Sequence, residues 1–217
     1  MSLPSLMSLA DFWTRLPIEA LTFDLTEPVE TSRDGSGAQL RHELGEELWT
    51  GEVRLGAMSP AEAADITTLL QHLRRAGRAF LAADSRRPAP TAGAAPLAGA
   101  APVIAALGDH GTSLAVSGLP AGYTLARGDY LGFPYLDPAR HALHRVAETV
   151  TAAADGTTDP FEVVPYLRPG AVEGAPVDLV LPSCRAVIVV GSSEPGGGRG
   201  PVTRGQTFRF IQSLRST

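Results

Sequence analysis

The chain has 217 residues, 44% of them apolar, enough for one large or two small domains with a real core. Its net charge is −5, and all 18 basic residues are Arg, scattered rather than striped, which speaks against a surface that grips nucleic acid. One cysteine, Cys184, excludes an intrachain disulfide and a Cys-based zinc site, and its apolar neighbours predict a buried thiol.

The amino end has neither the basic cluster nor the apolar core of a signal peptide, and no run approaches the roughly 20 apolar residues of a membrane span. A soluble protein made in the cytoplasm is expected. With 23 Gly and 18 Pro, turns recur at the spacing of an all-β chain.

In chain order, Ser8-Leu9-Ala10-Asp11 predicts a short capped helix ending before Pro17, with Phe12, Trp13 and Leu16 as an apolar patch. So small an element needs a surface for its two aromatics, which makes it a candidate docking arm. Ile18 to Thr26 alternates like a strand. Val29 to Arg33 and Ala38 to Glu43 flank Asp34-Gly35-Ser36-Gly37, a hairpin tip by composition, and both flanks are polar on both faces. The hairpin is therefore expected to project, as a solvated arm or as a subunit-contact arm.

The stretch from Leu48 to Asp84 organises the chain. Trp49, Val53 and Leu55 alternate with Thr50, Glu52 and Arg54, the period of a half-buried strand. Ser59-Pro60-Ala61-Glu62 then reads as a capping box with proline at the first helical position. Ala63, Ile66, Leu69, Leu70 and Leu73 form one apolar stripe, and Gly77 supplies a left-handed stop before the strand Arg78 to Ala83. One amphipathic helix is expected to cover a sheet built by the rest of the chain.

Composition changes abruptly between Ser85 and Pro102, where Ala, Gly and Pro dominate and predict a linker or surface loop. From Val103 short strands resume: Leu114 to Val116, Tyr123 to Ala126, Tyr130 to Tyr135, His141 to Val150 and Phe161 to Val164, the content of a small barrel or sandwich. Val177 to Leu181, Arg185 to Val190 and Gln206 to Leu214 are further strand candidates. The β-branched run Val187 to Val190 predicts burial on both faces, and Gly191 to Gly205 predicts a long flexible loop.

Signatures of catalysis and cofactor binding are missing from the sequence. With no Lys there is no phosphate-binding Gly-x-x-x-x-Gly-Lys loop, and neither Gly-x-Gly-x-x-Gly nor Gly-x-Ser-x-Gly is present. His141 and His144 fall on opposite faces of a strand, so they do not share a metal. Glu46-Glu47 reads as a solvated strand edge. No enzyme activity, cofactor or metal is expected.

Three segments carry a resemblance: Glu47 to Leu55 followed by the capped helix Ser59 to Gly77; Gly77 to Asp84 with its proline-rich exit; and Gly118 to Leu131 continuing through Arg145-Val146 and Phe161-Glu162-Val163 to Arg168-Pro169-Gly170. Together they resemble the distal tail protein (Dit) of long-tailed bacteriophages and phage-derived particles. The resemblance implies a mainly β fold: a tail-tube-like β-sandwich with one flanking α-helix, formed by 1–88 and 173–217, an Ala/Pro-rich linker at 89–102, and an inserted small β-barrel at 103–172.

It also implies a virion structural protein, assembled in the host cytoplasm as a ring of six at the tail tip. That ring joins the tail tube protein to the tail-tip hub protein around a channel through which DNA passes without specific binding. Subunit-contact candidates are Phe12, Trp13, Arg33, Asp34 and Arg199. The alternative is a host-surface module whose barrel presents Tyr123, Tyr130 and Tyr135 to a glycan.

Overall fold

The computed structural model describes residues 3–33, 35–37 and 39–215. After the short strand β1 (Leu6–Met7), the Asp11 amide donates to Ser8 Oγ at 3.1 Å, a cap-like bond. The turn it starts is too short for an α-helix and tightens into a 3-10 turn, Trp13–Arg15. Strands β2 (Ile18–Leu21) and β3 (Asp24–Leu25) follow, then β4 (Val29–Arg33) and β5 (Gln39–Glu43), which pair only with each other.

Strand β6 (Trp49–Leu55) buries Trp49, Gly51, Val53 and Leu55 and exposes Glu52 and Arg54, as its alternation predicts. Helix α1 (Pro60–Leu73) starts with both bonds of the capping box: Ser59 Oγ accepts from the Glu62 amide, and Glu62 accepts from the Ser59 amide. Its buried residues are the five of the predicted stripe. Past its end, Gly77 has φ of +77°, a conformation that glycine adopts without a Cβ penalty, and β7 (Ala79–Ala82) begins two residues later.

The middle of the chain forms a second module. It comprises β8 (Val103–Leu107), β9 (Ser113–Ser117), β10 (Thr124–Leu125), β11 (Tyr130–Tyr135), β12 (Arg140–Val146), β13 (Val150–Thr151) and β14 (Phe161–Val164). Five of these form one sheet in the order β11-β12-β14-β9-β8, while β10 and β13 make a separate two-stranded piece. The sheet curls around Ile104, Leu114, Leu131, Phe133 and Phe161 as a partial barrel.

The segment after β14 stays with this module. Ala175, Val177 and Leu179 lie in its core, and the strand expected at Val177 to Leu181 is reduced to isolated bridges, Val103 to Pro176 and Gly132 to Asp178. The Ala/Pro-rich stretch is strapped to the same module. Thr91 donates through its amide and hydroxyl to Asp129 Oδ1, and Tyr123 Oη donates to the Gly93 carbonyl at 2.7 Å.

Strands β15 (Cys184–Ile188), β16 (Gly197–Arg199), β17 (Val202–Arg204) and β18 (Thr207–Gln212) complete the chain. β15 and β18 return to the first sheet, whose order is β1-β7-β15-β18-β6-β2 with β3 also on β6. The architecture is thus mainly β with one flanking helix: the Trp49 sheet is closed by strands from the far end of the chain. Its inner face carries Trp49, Phe80, Phe208 and Phe210, covered by Phe12, Trp13 and the α1 stripe.

Two further expectations change. Val187 is only half-buried, and Val190 is 98% exposed because β15 ends at Ile188 and Val190 lies in the turn that follows. The Gly-rich stretch is not a free loop but a ribbon, β16 against β17, tied by the Met58–Thr203 amide pair to the chain entering α1. The β11–β12 hairpin is buried on both faces. Leu131, Phe133 and Ala142 fill the second core, whereas Tyr130 and Leu143 belong to the first, so this hairpin is the seam between modules.

Candidate functional site

The predicted contact residues are not gathered in one place. Phe12 and Trp13, expected to need an outside surface, are buried in the chain's own core. Phe12 meets Phe80 edge-on at 5.0 Å, Trp13 stacks on Phe80 at 5.9 Å, and the Trp13 indole N–H donates to Ser85 Oγ at 3.0 Å. With every polar and apolar need met internally, neither aromatic is free for a second copy. Arg33 is exposed at the end of β4. Asp34 lies outside the described residues, as does the side chain of Arg199, whose backbone ends β16.

The densest polar constellation sits elsewhere, at the seam. Asp84 follows β7 in the first module and is buried. Arg86 grips it with two bonds, Nε to Oδ1 and Nη2 to Oδ2, both at 2.8 Å, and the Arg86 amide adds a third at 3.1 Å. Tyr130 Oη, from β11, donates to Asp84 Oδ2 at 3.1 Å. Arg145 Nη2, from β12, donates in turn to Tyr130 Oη.

The Arg145 guanidinium lies 5.2 Å from the Trp49 ring centre and 4.9 Å from that of Tyr130, so two aromatics from two modules fix its plane. Arg87 Nη1 donates to the Gly128 carbonyl at 3.1 Å. These residues line a cavity of about 370 Å³.

Electrostatics here follow from burial and pairing. Burial by itself would raise the Asp84 pKa, but the Arg86 bonds and charge, with the Tyr130 hydroxyl, outweigh it and hold the carboxyl below its usual range. Burial pushes the Tyr130 phenol up, against the opposing pull of Arg145, so it stays a neutral donor. Arg86 is raised, chiefly by its bond to Asp84. Asp84 is therefore a filled acceptor, while among the described residues Arg145 spends one of its five N–H groups on a protein partner.

A second cross-module contact uses the acidic doublet that the sequence suggested was a solvated edge. Buried Arg168 pairs with the Glu46 carboxylate and donates to the Glu47 carbonyl. His144 is fully buried, with Nδ1 2.9 Å from the Pro165 carbonyl, and no group of three or more metal-ligating side chains occurs among the described residues. Cys184 is buried, which pushes its thiol up to about 12 and leaves it unreactive.

Sequence reasoning missed Asp84, Tyr130 and Arg145 as a group. No local signal marked them: Arg145 stands between His144 and Val146 on the opposite face of the strand, where a solvated charge is ordinary. No protein-family model matches the chain, and no curated protein matches it in sequence.

Proposed function

We propose that the chain is a structural, ring-forming component of the tail tip of a long-tailed bacteriophage or phage-derived particle, joining tube to hub around the DNA channel. The observation that carries this reading is the β4–β5 ribbon. Among the described residues it pairs with no other strand, its described side chains are exposed or only half-buried, Leu40 on β5 is 53% exposed, and Leu44 just past it is 68% exposed. A two-stranded ribbon is marginal alone in water and is stabilised when a neighbour covers it. A sister copy in a ring supplies that cover. The net charge of −5 also suits a channel past which phosphates slide.

The glycan-binding alternative finds no such support. Tyr123, Tyr130 and Tyr135 are all buried, so they form no aromatic platform. Native mass spectrometry of the chain, alone and with tube and hub proteins, tests the assembly. Rings are expected with partners present, and they should be lost when 29–43 is replaced by a tight turn while the fold survives. A chain that stays strictly monomeric both alone and with its tube and hub partners refutes the proposal.

A further inference from the structure

Apart from assembly, the seam cavity has a chemistry of its own. Three guanidinium groups line it, from Arg86, Arg87 and Arg145, against the single carboxylate of Asp84, which Arg86 already occupies; Asp24 also acts on Arg86 from nearby. The lining thus carries an excess of two positive charges. Arg145 is held in position by the Trp49 and Tyr130 rings, and its Nη2 bond to Tyr130 leaves its other donors free. Gly128 lines the cavity beside Arg87: its φ of +91° is one that L side chains rarely adopt, and a Cβ there would lie 3.0 Å from Arg87 Nη1.

We infer that this cavity binds a phosphate group, as inorganic phosphate or a small phosphomonoester. A carboxylate is flat and is satisfied by one guanidinium fork. A phosphate presents oxygens in several directions, and its charge of about −2 matches the excess of the lining. At about 370 Å³ the cavity has room for a phosphate and a short organic substituent. Because Arg86 and Arg87 come from the chain leaving the first sheet and Arg145 from the second module, a bound phosphate bridges the two modules.

The test is calorimetric titration of the full chain with inorganic phosphate and with glycerol 1-phosphate, at constant ionic strength, with acetate as the planar comparator. The key variant is Arg87→Gln, because the Arg87 side chain is exposed and makes one hydrogen bond, so the fold does not depend on it. Saturable binding of one phosphate species is expected, weakened at least about tenfold in Arg87→Gln and in Arg145→Lys, which keeps the charge but loses the planar fork. Stronger binding of the ester than of inorganic phosphate identifies an organic phosphate; equal binding identifies the free anion. The inference is overturned if neither saturates below about 10 mM, if acetate binds equally well, or if Arg87→Gln titrates like the parent. Ring formation is read separately by mass, so failure here leaves the assembly proposal standing and the converse holds too.

Discussion

Protonation of His144 should destabilise the second module's core, and the size of the effect follows from the geometry. The ring is fully buried, stacks on Phe133 at 5.2 Å, and sits with Nδ1 2.9 Å from the Pro165 carbonyl. A carbonyl only accepts, so the proton resides on Nδ1, and Nε2 is a bare nitrogen with no partner among the described residues. A second proton would create a buried cation whose new N–H finds no acceptor. Burial accordingly lowers the pKa from 6.5 to about 4, with the Pro165 bond opposing it weakly.

The unfolded chain binds this proton more readily than the folded one. The contribution to stability is therefore complete above the unfolded value of 6.5 and is lost as pH falls towards about 4. At about 1.4 kcal/mol per unit, the full loss is about 3 kcal/mol, of which about 2 kcal/mol is gone by roughly pH 5.

Urea unfolding of the parent and of His144→Leu, at about pH 7.5 and about pH 5, isolates this group from His141 and the carboxylates, which titrate in both proteins. The variant should be less stable at the higher pH, since the Pro165 carbonyl loses its donor. Its stability should then fall about 2 kcal/mol less than the parent's on acidification. Parallel pH profiles for the two proteins, or an imidazole resonance of His144 titrating near its ordinary value, would refute the reasoning.

Two further substitutions probe the first sheet. Gly51→Ala places a Cβ 2.2 Å from the Thr22 carbonyl oxygen and 2.7 Å from the Phe210 ring. Thr22 is tied by its amide to the Glu52 carbonyl and Phe210 is fixed in β18, so a loss of about 2 kcal/mol or more is expected in chemical denaturation, and an unchanged midpoint would show that the sheet gives way more easily than its register implies. Trp49→Phe removes the indole donor that meets the Leu143 carbonyl at 2.7 Å across the seam, together with one wall of the Arg145 stack. A loss of about 2–4 kcal/mol is expected, followed by the fluorescence of Trp13; a loss under about 0.5 kcal/mol would mean that the seam contributes little to the fold.

Local chemistry alone determined several parts of this protein. The capping box at Ser59 and Glu62, the stripe Ala63 to Leu73 and the alternation of Trp49 to Leu55 act through neighbours three or four residues away or on alternate faces, so the residues themselves fix element, boundary and buried face. The return of the carboxyl-terminal strands to the Trp49 sheet is not fixed by those elements; the resemblance implies it, and β15 and β18 supply it.

What covers each face was decided only by tertiary structure, because alternation states that a face is apolar and not what meets it. Phe12 and Trp13 look like an exposed arm until Phe80 and Phe210 are brought beneath them. Tyr130 to Tyr135 reads simply as a short strand, and only the packing shows that both its faces are buried, since another module lies on its outer side. The Asp84–Tyr130–Arg145 chain joins positions 46 and 15 residues apart in sequence. Each of those groups is an ordinary turn or strand residue by itself. Only the packing of two modules makes a buried carboxylate, a phenol and a stacked guanidinium into one network.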